Sequence, residues 1–317
     1  MSICDICGVR EATIYQRHSG KKLCPVCFIN DVMGRVSREI KRYNMFNSND
    51  RILLALSGGK DSFVLLDIMS QIHDPSKLGG VTVIEGIEGY NRAEDIERLR
   101  IYARERSIDL HITSIKELSG YSLDEIVKKS FERNLKISPC TFCGLYRRRG
   151  INHVARLYGY DKVATAHNLD DEAQTIIINI LRGDLIRLAT IHPLRRNPSD
   201  LFIHKIKPLR KIYEYETAIY AKIKGYKPQI VECPYLDLMP SLRARIREIL
   251  YLLEEERPGI LMRILETFDD LFIDEVGKTS IRLGICRVCG EPTSPGRNIC
   301  KVCELLLRIG LVHYSPT

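Results

Sequence analysis

Apolar and polar positions along this chain fall into blocks that alternate between strand and helix lengths. Residues 51–56 are a short apolar run of strand length, and the apolar density of residues 63–69 predicts a helix packed on a sheet. Residues 81–84 predict a second strand. Residues 91–106 predict an amphipathic helix with Ile96, Leu99 and Ala103 on one face. A third strand over 109–115 and a short helix over 123–131 follow. Ile151, Val154, Ala155 and Tyr158 have helical spacing, so a helix is expected over 143–158, stopped by Gly159. Residues 162–167 read as a fourth strand, and the next helix carries Asp170, Asp171 and Glu172 in its first turn. This alternation predicts an α/β fold, a mostly parallel sheet with helices on both faces.

The flanks have other patterns. Val32, Val36 and Ile40 predict a helix over 31–43, and polar residues 44–50 link it to the next block. Later helices are expected over 212–224, over 241–256 with Arg243, Arg245 and Arg247, and from Pro258 to about Phe272. The expected divisions are a small N-terminal knuckle (1–30), a linker helix (31–50), the α/β domain (51–240), a helical segment (241–280) and a small C-terminal knuckle (281–317).

The 317 residues are 44% apolar and 28% charged, so the chain is globular and long enough for more than one domain. No run reaches the length of a membrane span, and the first residues lack a signal-peptide pattern, so no membrane and a cytoplasmic location are expected. A formal net charge of +8 favours a polyanionic partner such as nucleic acid.

Chemistry concentrates between the first strand and its helix, in Ser57-Gly58-Gly59-Lys60-Asp61-Ser62. A lone Gly-Gly would be an ordinary strand–turn–helix junction. Two serines, a lysine and an aspartate beside the glycines favour an anion site instead, most naturally for phosphate. The order is not that of a Walker A loop, because an acid separates lysine from serine.

Eleven cysteines are too many for an intracellular chain unless they are ligands or reactive groups. Cys4, Cys7, Cys24 and Cys27 form two CxxC pairs, as do Cys286, Cys289, Cys300 and Cys303. Each set fits a closed, structural four-thiolate zinc site better than disulfides. Cys140, Cys143 and Cys233 remain. Three thiolates suit an iron–sulfur cluster with one open iron. A redox pair carrying a persulfide, or a third zinc completed by an outside ligand, are the alternatives, and plain burial accounts for Cys233 alone. One helical turn places Arg147 near the face of Cys143, between the cysteines and the phosphate loop. Asp171 and Asp61 are candidates to hold Mg²⁺ against phosphates, although acids at a helix start also complement its dipole.

The hexapeptide at 57–62 resembles the PP-loop of the N-type ATP pyrophosphatases. With it, in order, come Pro-Cys-Thr-Phe-Cys-Gly (139–144), His-Asn-Leu-Asp-Asp-Glu (167–172), Leu-Arg-Gly-Asp (181–184), Glu-Cys-Pro (232–234) and the two terminal knuckles. Over nearly its whole length the chain resembles the tRNA 2-thiouridine synthetases of the two-zinc-finger group. The resemblance implies an adenine-nucleotide alpha hydrolase-like fold, with ATP on residues 57–62, Ala55 and Ile84 near the base, and Ala166 and Asp171 near ribose, phosphate or Mg²⁺. It implies adenylation of a uridine C2 oxygen, helped by Lys60 and Arg147, then replacement by sulfur. It makes Cys140, Cys143 and Cys233 the ligands of a [4Fe-4S] cluster; an alternative makes Cys140 and Cys233 a persulfide pair. Cofactors would be ATP, Mg²⁺, the cluster and two Zn²⁺. Partners would be tRNA, a sulfur donor (hydrosulfide or a ubiquitin-like thiocarboxylate carrier) and a second copy in a homodimer. Cys-Thr-Phe-Cys-Gly and Leu-Arg-Gly-Asp look closer to the wobble-uridine branch, and His-Asn-Leu-Asp-Asp-Glu to the T-loop branch; the wobble uridine is the favoured target. Against this stand a lysidine- or amide-forming relative, which would need no CxxC, and a non-catalytic zinc-finger RNA-binding protein, which would need no intact loop.

Overall fold

The computed structural model describes residues 2–90, 93–195, 201–229, 231–236, 242–273, 283–294 and 296–311. A hairpin of β1 (Ile14–Gln16) and β2 (Lys21–Leu23) leads into α1 (Pro25–Arg42). Then come β3 (Ile52–Ala55), α2 (Lys60–Ile72), β4 (Leu78–Ile84), α3 (Ala93–Arg104), β5 (Asp109–Ser114), α4 (Ile115–Ser119) and α5 (Leu123–Glu132). The domain continues with α6 (Pro139–Leu157), β6 (Lys162–Thr165), α7 (Leu169–Leu181), α8 (Leu185–Ile191), β7 (His204–Ile206) and α9 (Glu214–Ile223). Helices α10 (Leu242–Glu256) and α11 (Ile260–Phe272) precede a terminal hairpin, β8 (Gly284–Ile285) and β9 (Pro292–Thr293), and α12 (Lys301–Arg308).

The central sheet has the order β5-β4-β3-β6-β7, and every pairing in it is parallel. Successive residues of β3 serve opposite cores. Ile52 and Leu54 pack with Phe63 and Leu66 of α2, Leu99 of α3 and Tyr220 of α9. Leu53 packs with Val154 and Ala155 of α6 and Val163 of β6. A strand covered on both faces reads as a continuous apolar run, which is why residues 51–56 show no alternation. The connections leave β3 toward β4 and β5 on one side, then cross to β6 and β7 on the other. Ala55, Val81 and Thr165 lie in register, so the loops after β3 and β6 open side by side at the switch point, where open α/β sheets take their ligands.

Several elements differ from the sequence expectations. Strand β4 begins at Leu78, not residue 81, because Gly79 and Gly80 belong to it. A Cβ on Gly79 would lie 1.9 Å from the Tyr160 hydroxyl oxygen, so the glycine is there for close approach, not for a turn. The helix expected from Cys143 starts at Pro139, whose missing N–H costs nothing at a first helical position. Cys140 and Cys143 therefore share its first turns. Helix α1 starts at Pro25, inside the first knuckle, not at Asp31. The fourth strand stops at Thr165 rather than His167. The fifth strand, β7, and the short helices α4 and α8 carry too few residues to show a period and were not anticipated. The expected starts of two helices, at residues 91 and 241, lie outside the described residues.

Candidate active site

The loop between β3 and α2 is held open by short local bonds. Gly58 has φ +79°, which favours glycine, and its carbonyl accepts from the Gln229 amide at 2.9 Å. Ser57 Oγ accepts from the Gly59 amide at 3.4 Å, and Ser62 Oγ donates to the Gly59 carbonyl at 2.7 Å. Gly59 caps α2 without a side chain, leaving the first amides of the helix for a ligand. Lys60 Nζ sits 3.1 Å from Asp61 and 3.0 Å from Glu214. Asp61 also accepts from Asn168 Nδ2 at 3.4 Å and from the Thr217 hydroxyl.

Above these strand ends lies a cavity of about 480 Å³. Ala55 at the end of β3, Ser57 in the loop and Asp61 and Ser62 at the start of α2 line it, as do Ala166 and His167 in the loop after β6 and Asp171 in the first turn of α7. Gly58 and Gly59 are not among its lining residues. Lys60 borders a neighbouring cavity of about 650 Å³ with Glu214 and Asp170. Ile84, the last residue of β4, is flanked by two lining residues, Val83 and Glu85, and does not itself line the cavity. Burial raises Asp171 above the ordinary carboxylate range, partly offset by Arg243 at 3.5 Å, while Asp61 nearby adds to the rise. Burial also pushes Asp170 up to about 6, against the bond its carboxylate accepts from the Glu214 amide at 2.7 Å. Carboxylates held this way gain from a cation placed between them.

The cysteine helix borders the same cavity through Gly144, Arg147 and Arg148 of α6. Cys143 lies half-buried beside Cys233 and packs on the apolar cluster around Phe142 and Tyr146; Cys140 is exposed. The Cys233 loop is tied down by Tyr235, whose hydroxyl donates to Asp124 of α5 at 2.6 Å. Burial, with Glu85 nearby, pushes the Cys143 thiol up to about 12, and burial raises Cys233 as well. Arg147 Nε lies 3.5 Å from Glu85; burial works against its charge, but Glu85 and Cys143 outweigh it and hold the guanidinium firmly protonated.

Among the described residues, the two terminal sets alone bring three or more such donors within 4.8 Å of one another. One zinc with four thiolates needs sulfur–sulfur edges of about 3.8 Å, given Zn–S bonds near ~2.3 Å. The Cys289–Cys300 sulfur distance is 3.6 Å, so that set fits one zinc ion. The two knuckles repeat one design. The Gly8 amide donates to Cys4 and the Gly290 amide to Cys286, while Cys24 and Cys300 cap α1 and α12. Cys140, Cys143 and Cys233 are spread wider. Three soft donors at that spacing fit a larger, polynuclear group better than a single ion.

Sequence reasoning missed Glu85, Glu214, Thr217, Lys205 and Lys207. Glu85 follows the last residue of β4 and Lys205 is the middle residue of β7, and nothing in their neighbours' spacing marks them; their role comes from the sheet order. The strand–loop–helix, its place at the switch point and its cavity define a PP-loop protein. Residues 33–248 match the model of the PP-loop domain, and residues 3–29 match that of the 2-thiouridine synthetase TtuA N-terminal LIM domain. A probable sulfurtransferase of Methanocaldococcus jannaschii is 36% identical over 96% of this chain and 87% of its own length. The cytoplasmic tRNA 2-thiolation protein 1 of Drosophila ananassae is 34% identical over 95% and 85%. The U34-tRNA thiolase NcsA from Methanococcus maripaludis, solved with its [4Fe-4S] cluster, superimposes with a TM-score of 0.80 at 31% identity, covering 100% of this chain and 99% of that one. The chain belongs to the PP-loop family of TtuA- and NcsA-like thiolation proteins.

Proposed function

We propose that this chain is an ATP-dependent tRNA 2-thiouridine synthetase that replaces the C2 oxygen of the wobble uridine with sulfur. One observation carries the reading. The phosphate loop and the cysteine helix border a single cavity, with Ser57, Asp61 and Ser62 on one side and Gly144 and Arg147, next to Cys143, on the other. An adenylating loop alone could serve many acceptors; Cys140 and Cys143 do not line the cavity themselves, but they stand on the helix that brings Gly144 and Arg147 to it, and they supply a reason for sulfur. The names of the fly relative and of the M. maripaludis neighbour support tRNA as the substrate, and the neighbour's name supports the wobble uridine.

In this reading the amides of Gly58, Gly59 and Lys60, with Ser57 and Ser62, take the phosphates of ATP. Asp61 and Asp171 hold Mg²⁺, and Ala55, Ile84 and Ala166 frame base and ribose. Lys60 leaves Glu214 for the phosphates. The uridine C2 oxygen attacks the α-phosphate, pyrophosphate leaves, and Arg147 offsets the developing charge. Hydrosulfide then displaces AMP from C2. Cys140, Cys143 and Cys233 would hold a [4Fe-4S] cluster, which would supply an iron site for the sulfide donor. The two four-thiol sets hold structural zinc. The proposal extends to the domain divisions expected from the sequence, to a cytoplasmic homodimer, and to hydrosulfide or a ubiquitin-like thiocarboxylate carrier as donor. No described helix is long and apolar enough to cross a membrane.

The test is anaerobic purification, iron analysis, a visible spectrum and an ATP-dependent thiolation assay on unmodified tRNA with the modified nucleotide mapped. Brown protein that loses iron and activity in Cys140→Ala, Cys143→Ala and Cys233→Ala supports the reading. Full activity in colourless, iron-free protein would replace it with the persulfide route, and sulfur mapped to the T-loop would move the target.

A further inference from the structure

Six cations line the shared cavity: Arg147, Arg148, Arg195, Lys205, Lys207 and Arg210. Three are matched by acids. Arg147 faces Glu85 at 3.5 Å, Lys207 faces Glu172 at 2.7 Å, and Arg210 faces Asp269 at 2.6 Å. Arg148, Arg195 and Lys205 have no carboxylate partner among the described residues. Arg148 is exposed, and Arg195 and Lys205 are half-buried. Their positive charge is not compensated by any acid among the described residues. Burial, with Arg148, Arg195 and Lys207 nearby, pushes Lys205 down to about 8. Like charges gathered in a cavity are costly, and an anionic ligand relieves that cost.

The phosphate loop does not provide that anion. Lys205 lies on β7, two strands from β3 in the sheet order. Two strand spacings are about 10 Å, and Lys205 is in register with Val163 and through it with Leu53, four residues before Ser57, which adds roughly 13 Å along the strand. A phosphate cradled by the amides after β3 is therefore out of ion-pair reach of Lys205. Strand β7 is also an edge strand of the sheet, and the cavity it borders includes the exposed Arg148 among its lining residues. A base inserted between the loop and Cys143 carries a phosphodiester on each side, and one of these must lie at the rim.

We infer that Arg148, Arg195 and Lys205 form an anion subsite that grips a backbone phosphodiester of the substrate RNA beside the target uridine. This rests on the thiolase reading. It assigns the wall to RNA rather than to ATP, and gives the positive charge of the chain a local purpose at the reaction cavity.

The test measures binding of unmodified tRNA to the full chain across a salt series, for wild type, Lys205→Gln, Arg148→Gln, Arg195→Gln and the triple variant. Binding of α,β-methylene-ATP is measured in parallel. Each single variant should weaken tRNA binding by roughly 3- to 10-fold and lower the salt slope by about one, with the ATP analogue bound as in wild type. Lys205→Arg should keep wild-type affinity, since it keeps the charge. A triple variant with unchanged tRNA affinity and slope overturns the inference and leaves the thiolase reading standing. Weakened analogue binding with unchanged tRNA binding overturns it in favour of a nucleotide phosphate. A wild-type chain without affinity for tRNA overturns both.

Discussion

Replacing Arg210 by methionine should destabilise the whole molecule. The residue is fully buried at the end of the segment after β7 and joins three parts of the chain. Its guanidinium donates to both oxygens of Asp269 on α11, at 2.7 and 2.6 Å, and to Glu39 on α1 at 2.8 Å. The Tyr43 hydroxyl donates to Asp269 at 2.7 Å. The side chains of Asp269 and Glu39 are 2% and 4% exposed, so water does not replace the lost cation. Methionine fills a similar volume, which isolates the electrostatic effect. Breaking a buried pair from one side costs about 3–5 kcal/mol. Lys211, 4.0 Å from Glu39, offers partial compensation, which places the expected loss near the lower end. Against a typical total of about 5–15 kcal/mol, that is a large fraction. The chain has no Trp, so urea unfolding is best followed by far-UV circular dichroism. Combining Arg210→Met with Glu39→Leu and Asp269→Leu should recover most of the loss, because no charge is then stranded. The pH dependence has a definite sign. Burial raises Asp269, but its bonds from Arg210 outweigh this and hold it below the ordinary carboxylate value. Its contribution is therefore complete above about pH 4 and disappears as pH falls through the folded-state value. In the variant the stranded carboxylate prefers to be neutral, so the deficit should shrink in acid. A loss below about 1 kcal/mol at neutral pH, or a deficit that grows in acid, would refute the reasoning.

Two further outcomes follow from the packing. Cys286→Ser should cost one of two zinc ions per chain and also reduce iron retention, because Cys286, Cys300 and Cys303 share an apolar cluster with Phe142 and Tyr146 of the cysteine helix. Cys4→Ser should cost one zinc ion and leave iron in place, since the first knuckle packs with α1 on the other side of the sheet; metal analysis of both proteins decides this. Gly79→Ala should lose about 1–3 kcal/mol in urea unfolding, since its Cβ would meet the Tyr160 ring, and pairing it with Tyr160→Leu should relieve part of that strain.

Much of the chemistry was legible before folding because it is written in short spacings. Ser57 to Ser62 forms one turn, and each CxxC pair brings its thiols together through local backbone alone. The strands β3 and β5 and most helices were legible for the same reason, since one face or both faces must be apolar. What the sequence could not supply is adjacency across the sheet. Cys233 lies ninety positions from Cys143, and Lys205 sits on a three-residue strand with no period to reveal it. Glu85 and Arg147 meet only because α6 packs over β4. Gly79 and Gly80 fell outside the expected second strand, and the ring that fills the missing Cβ of Gly79 comes from Tyr160, far along the chain. Local order follows from nearest neighbours and from which face must leave water. The reaction cavity follows from strand order, which is fixed by the packing of the whole domain.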